Sequence, residues 1–208
     1  MDRMPRESYS RSASQDVRAA MGSALARYIE GLSFDTGDGG QPLKFAAVFS
    51  EWPSYLDRNV DPSACVLPGS WKYGPALLTP AFIEGTWEPV GMPGWGLWKT
   101  AEAEVEFELS LRATSPAERE RLILGIEDAF QTTGREVNRI LLELPTYYGL
   151  TARYSLLSGR VIDNEDQAMR EQRDAVLTIS AQADKVVLQP VTPLALNITI
   201  KSVGTSPS

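Results

Sequence analysis

The chain has 208 residues, 43% of them hydrophobic, so it is long enough to bury a core within one domain. Its 20 Lys and Arg against 27 Asp and Glu give a formal net charge of -7, which disfavours general attraction to nucleic acid or to anionic membranes. With no histidine and one cysteine, it has no Ser-His or Cys-His catalytic pair, no histidine metal site, no intramolecular disulfide and no CxxC redox pair.

The N-terminal residues, 1–13, are rich in Ser and Arg and lack the apolar segment of a signal peptide. We expect them to form a flexible arm on a protein made in the cytoplasm. No run of about 18 apolar residues occurs, so no membrane partner is expected. Residues 14–208 are expected to form a single domain, in which Cys65 is a buried structural thiol.

The first predicted element is an amphipathic helix that follows the arm. Asp16 lies in its first turn and Gly31 near its end. Its apolar residues recur at helical spacing and are Val17, Met21, Ala24, Leu25, Tyr28, Ile29 and Leu32. The stretch TGDGGQ that follows lacks the spacing and the lysine of a phosphate-binding loop, so it predicts a turn.

The region from residue 44 to residue 100 has short apolar runs broken by Pro and Gly, which predicts short strands joined by loops. Within it we expect a Trp- and Pro-rich insertion at about 50–100. Its tryptophans are Trp52, Trp71, Trp87, Trp95 and Trp98. They suit a small aromatic core under loops, the anchors of a protein interface, or a stacking platform for sugars.

The stretch from residue 102 to residue 130 changes its hydrophobic period at Ser115. Before that point apolar residues alternate with polar ones, which predicts a half-buried strand. Its apolar members are Val105, Phe107, Leu109 and Leu111. At the change, Ser115, Pro116 and Glu118 match the cap, first position and capping-box acid of a helix. The buried stripe predicted for that helix comprises Leu122, Ile123, Ile126, Ala129 and Phe130.

The polar positions of this strand hold four glutamates on one face, roughly 6.5 to 7 Å apart. The glutamate row comprises Glu102, Glu104, Glu106 and Glu108. One pair could span the carboxylate separation of an inverting glycosidase, but a regular row on one strand makes a flat surface rather than a cleft. Pairing with Arg153 or Arg173, solvation, or the wall of a passage in an oligomer are the other interpretations.

Four more strands are predicted in the second half of the chain, within VNRILLELP, TARYSLLSGRV, RDAVLTISAQA and LALNITIKSV. The alternation puts Ile140, Leu142 and Leu144 on one face of the first, and Ala175, Leu177, Ile179 and Ala181 on one face of the third. The acidic stretch DNED, residues 163–166, could hold a hard cation but lacks the glycine and distal Glu of a calcium loop, so we expect a solvated hairpin loop and no metal. A strand, a helix and then several strands predict an α+β fold, a mostly antiparallel sheet with one or two helices on one face.

This order of elements resembles the neck and tail-completion proteins of long-tailed bacteriophages, and the tail terminators most. The resemblance lies in the N-terminal helix, the Glu-rich strand leading into TSPAERERLILGIEDAF, and the later strands from LLELPTYYGL to AVLTISAQA. It covers roughly residues 100–190 in organisation, and the segment from Trp52 to Trp98 is outside the family pattern.

The resemblance implies a structural virion protein, located in the tail or neck, with no catalytic, cofactor or metal residue. Six α+β subunits would close into a ring that caps the tail tube and meets the head connector and the sheath, while DNA passes through without specific binding. The glutamate row and the five tryptophans are then interface or channel candidates. The alternatives are a carboxylate-dependent enzyme acting on carbohydrate and a sugar-binding module built on the tryptophans.

Overall fold

The computed structural model describes residues 16–35, 41–50, 60–77, 79, 81–83, 95–131, 139–162 and 173–190. Several predicted features lie outside these residues. They are the arm at 1–13, most of the glycine turn, the acidic loop at 163–166 and the strand predicted after residue 190.

Two helices and a seven-stranded sheet make up the described part of the chain. In chain order they are α1 Val17–Gly31, β1 Ala47–Phe49, β2 Ser63–Tyr73, β3 Ala81–Phe82, β4 Trp95–Ala113, α2 Pro116–Gln131, β5 Arg139–Leu144, β6 Leu150–Ile162 and β7 Arg173–Pro190. The strand order is β1-β2-β4-β7-β6-β5, and β3 also pairs with β4. Every pairing is antiparallel except that of β1 with β2. The α+β fold predicted from the sequence is confirmed.

The sheet has an inner face, covered by the helices, and an outer face opposite to it. Val105, Phe107 and Leu109 of β4 are buried on the inner face, and the glutamates between them point outward. The neighbouring strand β7 repeats the pattern, with Leu177 and Ile179 buried on the inner face. The alternation predicted for both strands is therefore confirmed, and it places the core between the sheet and the helices.

The sheet curls around α1. This helix contacts β1 and β2 at one end of the strand order and β5 at the other, so the two ends of the sheet bend toward it. The curl brings the buried Tyr154 of β6 under α1, where its hydroxyl donates a hydrogen bond of 2.9 Å to the Met21 carbonyl. Burial raises the pKa of Tyr154, which keeps this hydroxyl protonated as a donor.

Helix α1 begins at a side-chain cap. Asp16 is the N-cap residue, and its carboxylate accepts a hydrogen bond of 3.0 Å from the Arg18 backbone N–H. Asp16 therefore lies just before the first turn rather than within it. The helix ends at Gly31, as the sequence predicts.

Helix α2 begins at the predicted capping residues, with one shift. The Glu118 backbone N–H donates to Ser115 Oγ at 3.2 Å, which is one half of the capping box. The Glu118 carboxylate reaches back one residue further than in the standard motif, and accepts from the Thr114 N–H and hydroxyl, both at 2.6 Å. The predicted start at Pro116 is confirmed.

The two helices pack against each other and against the loop after α1. The Tyr28 hydroxyl donates to the Ala129 carbonyl at 3.2 Å, and its ring meets Phe130 edge to face. The buried Phe34 ring lies directly over Gly125 of α2. Gly125 thus provides the space that the Phe34 ring occupies.

The region predicted as an insertion with short strands holds part of the main sheet. Strand β2 has 11 residues and lies between β1 and β4. Pro68 and Gly69 looked like strand breakers, but the register shifts between Pro68 and Trp71, so a bulge accommodates them within the strand. Strand β4 likewise begins at Trp95, seven residues before the alternation becomes clear at Glu102. In the described part of the chain, neither helix is long and apolar enough to cross a membrane.

Replacing Gly125 with Ala should destabilise the fold. A Cβ atom there would lie 2.1 Å from Phe34 Cδ1, so the ring must shift within a packed core. We expect a net loss of about 1–2 kcal/mol, because overpacking outweighs the better helix propensity of alanine. Urea unfolding followed by circular dichroism measures this. The matched control is Gly31→Ala, where nothing lies within 4 Å, and an equal loss there would contradict the packing explanation.

Replacing Ser115 with Ala removes the oxygen that accepts the Glu118 N–H. We expect a loss of about 1 kcal/mol in the free energy of unfolding, typical of a lost N-cap, measured by the same urea titration. Ser158→Ala, at an exposed position of β6, serves as control and should stay within about 0.5 kcal/mol of the parent. Equal values for the two variants would show that the cap contributes nothing.

Candidate functional site

The glutamate row lies on the outer face of β4, near the middle of the sheet. Glu102, Glu106 and Glu108 are exposed, and Glu104 is half-buried. Strand β2 flanks the row on one side and β7 on the other. The row predicted from the sequence thus exists as an open strip of carboxylates facing solvent.

Two members of the row have partners on β2. The Lys72 ammonium lies 3.0 Å from Glu104 Oε2, and the Ser70 hydroxyl donates to Glu106 Oε2 at 2.7 Å. Lys72 is highly exposed, so this ion pair contributes little to stability. Both partners lie in the region predicted as short strands joined by loops, where no strand was predicted to pair with β4, so these contacts were not predicted.

The residues across from the row on β7 offer no cation. Asp184, Gln182, Ser180 and Thr178 stand opposite the four glutamates in order. Asp184 forms an ion pair with Lys99, with 2.5 Å between Asp184 Oδ1 and Lys99 Nζ. The row therefore faces neutral or acidic neighbours along its whole β7 side.

The two arginines proposed as cross-strand partners lie elsewhere. Arg153 of β6 stands opposite Gln182, so β7 separates it from Glu104. Arg173 pairs with Ala113 at the far end of β4, and its side chain is outside the described part. The expected pairing of the row with Arg153 within one chain was therefore wrong, because β7 lies between the strands that carry the two charges.

A basic surface occupies the other side of the outer face. We call it the arginine flank, and its members are Arg139, Leu141, Arg153 and Arg160 on β5 and β6. All are exposed, and Leu141 exposes 65% of its surface. Among the described residues of β5 and β6, the outer face carries one acidic residue, Glu143 at the end of β5. The strand pattern around Ile140 predicted which residues face inward, but not that the outward ones collect positive charge.

The tryptophans are not brought together in the described structure. Trp71 of β2 is 55% exposed on the inner face, where it pairs with Val105. Trp98 stacks edge to face on Phe82 of β3, at 5.1 Å between ring centroids. It is seven residues from Val105 along β4, roughly 23 Å at the usual rise of a strand. Trp52, Trp87 and the side chain of Trp95 lie outside the described residues.

A groove of about 410 Å³ runs between the start of α1 and strands β2 and β4. Val66, Val105 and Phe107 form its apolar floor, and Asp16 and Arg18 belong to its polar rim. The Arg18 guanidinium lies over the Trp71 ring, 4.8 Å from the ring centroid. No sequence pattern indicates this groove, because Arg18 and Trp71 are more than 50 residues apart.

The charged groups of the groove are engaged with each other. Asp16 accepts hydrogen bonds from Arg18 Nε at 3.2 Å and from Nη2 at 2.8 Å. The hydrogen bond to Asp16 raises the pKa of Arg18. Because the carboxylate is paired in this way and also caps α1, it is poorly placed to act as an acid or base on a bound molecule.

Cys65 is buried, as predicted, and burial raises the pKa of its thiol, which disfavours the reactive thiolate. Within the described ranges, no three acidic or cysteine side chains gather in a way that could hold a metal ion. The features that stand out are therefore surfaces: the glutamate row, the arginine flank and the groove beside Trp71.

Comparison with known proteins gives no assignment. No protein-family model matches the chain, and no curated protein matches it significantly.

Proposed function

We propose that this chain is a structural subunit of a bacteriophage tail or neck, a tail terminator that assembles into a ring of about six copies. The ring would cap the tail tube and join it to the head connector. The support comes from the order of elements that resembles this family, and from the surfaces of the folded subunit. The virion location and the partners follow from the same proposal.

The observation that carries the proposal is the open outer face of the sheet. A catalytic pair of carboxylates works in a cleft, across a substrate, with opposed walls. Glu102, Glu106 and Glu108 instead point to solvent from one strand of a curled sheet. Such a face suits contact with another large surface, because its charges are spread over an area rather than converging on a point.

Within a ring, the glutamate row has two possible roles. Facing the lumen, it would repel the phosphates of passing DNA, since like charges disfavour binding. Facing a neighbouring subunit, it would attract a basic surface. Either role uses the row as a surface and needs no bound cofactor.

The carbohydrate alternatives have less support. One face of the exposed Trp71 ring is covered by Arg18, which occupies a position where a sugar would stack. Trp98 packs on Phe82 at another part of the sheet. A sugar platform needs aromatic rings that converge on one groove, and the described tryptophans do not converge.

The ring is tested with the purified chain. As its concentration is raised, we expect closed particles of about six times the monomer mass, because contacts between different patches of identical subunits close into rings. Light scattering gives the mass and negative-stain imaging the shape. A chain that stays monomeric at every concentration, yet binds oligosaccharides and loses that binding with Trp71→Ala, would contradict the proposal.

The phage assignment is tested separately by the neighbouring genes. Reading frames for tube, sheath and portal proteins beside this gene are the expected finding. Their absence, together with rings in solution, would leave a ring-forming protein that belongs to another system.

A further inference from the structure

We infer that the ring contact joins the arginine flank of one copy to the glutamate row of the next copy. This inference rests on the proposed function and deepens it, since it names the two faces that meet. The occupant of each surface is a second copy of this chain. The charge, register and curvature of the outer face support this contact.

The two surfaces have opposite charge and lie at the same levels of the sheet. Arg153 stands on the cross-strand line that runs through Gln182 to Glu104. Arg139 stands on the next line, which runs through Ser155 and Ser180 to Glu106. Neighbouring lines are two residues apart along a strand, roughly 7 Å, so two cations and two carboxylates repeat with a similar spacing.

The curl of the sheet points the two surfaces in different directions. Helix α1 contacts both ends of the strand order, so the outer face is convex. The glutamate row lies toward the β2 side of this convex face and the arginine flank toward the β5 edge. Two convex faces packed together by a two-fold axis would meet only along a narrow strip. Head-to-tail contact, with the β5 side of one copy against the β4 side of the next, uses both surfaces and allows ring closure.

An apolar side chain marks the centre of the arginine flank. Leu141 pairs with Arg153 and exposes 65% of its surface. Exposed leucines are common singly, but one flanked by arginines matches the composition of interface centres, where apolar groups are covered and Arg is enriched. Covering Leu141 would add apolar burial to the charge contact.

The role of the ring also favours this contact over a lumen position for the flank. Exposed arginines in a DNA channel would bind phosphates and hold the DNA. Docked on the glutamate row of the next copy, Arg139 and Arg153 are shielded from the DNA. The same contact relieves the repulsion between successive glutamates, which β7 leaves without a cation.

Two charge-reversal variants test the contact. One carries Arg139→Glu with Arg153→Glu, and the other carries Glu104→Arg with Glu106→Arg. Each alone has two surfaces of the same sign, so we expect the concentration at half-assembly to rise about tenfold or more. Mixed in equal amounts, the two variants are complementary at every contact, so we expect alternating rings at close to wild-type concentration. Light scattering of each variant and of the mixture measures this, at low salt and at 1 M salt.

Control variants separate the proposed contact from general effects of charge and of exposed leucines. Arg27→Glu with Lys44→Glu reverses two exposed cations outside the outer face, and should assemble as the wild type does. Leu141→Ser should weaken assembly, whereas Leu124→Ser, at the exposed leucine of α2, should not. Circular dichroism checks that each variant is folded, and restored assembly in the mixture shows that neither reversal acts by unfolding.

The outcomes separate the contact from the ring. Wild-type rings that persist in both reversal variants, or variants that lose rings and do not recover on mixing, would overturn this contact and leave the ring standing. A wild type that forms no ring at any concentration would overturn the proposed ring and its contact together. Recovery on mixing, with loss at 1 M salt, is the result that the inference requires.

Discussion

The structure depends on the register of β4 between its two long neighbours. Strand β4 carries apolar residues and glutamates in strict alternation, and it pairs with β2 on one side and with β7 on the other. A slip of one residue would turn Phe107 outward and drive Glu106 into the core. Burying an unpaired carboxylate costs several kcal/mol, so this alternation selects one register for the centre of the sheet. The register that buries the core also exposes the glutamate row to solvent.

The inner face explains why the sheet curls. Small side chains at Ala103, Ala152 and Ala181 are fully buried there, which lets the helices approach the strands closely. Gly22 of α1 serves the same purpose, since a Cβ atom would lie 3.2 Å from the Phe107 ring. Close packing draws the sheet ends toward α1, and the resulting convex outer face separates the glutamate row from the arginine flank. Core packing and surface geometry are therefore linked.

Much of the fold could be predicted from the sequence because local signals were strong. The alternation of β4 and β7 and the cap at Ser115 are encoded within a few residues of one another, and each predicted the correct element. Strand β2 was underestimated, because Pro68 and Gly69 are strand breakers unless a bulge accommodates them, and a bulge depends on the partner strand. Sequence patterns thus predicted the fold class, but they did not predict the exact strands.

The surfaces were predictable only in part, for a related reason. The glutamate row lies on one strand, so the alternation of apolar and polar residues along that strand was enough to predict it. The arginine flank combines β5 with β6, and its position relative to Glu104 depends on the strand order. No pattern within one segment encodes that order. The partners of the row, Lys72 and Ser70, were missed for the same reason.

The repulsion between carboxylates of the glutamate row is the strongest physical reason to expect a neighbouring subunit. Carboxylates about 7 Å apart repel one another, and the exposed pair with Lys72 offsets this only weakly. Replacing one or two glutamates with Thr or Ser would remove that repulsion without touching the core. In an isolated subunit the repulsion within the row therefore lowers stability, although the alternation to which the row belongs selects the register of β4. A surface of this kind gains favourable free energy only when cations from outside the subunit come close. Because this gain is electrostatic, it also speeds the encounter and disfavours wrong partners of like charge. In the proposed ring, the repulsion carried by the monomer would thus become a driving force for a specific contact.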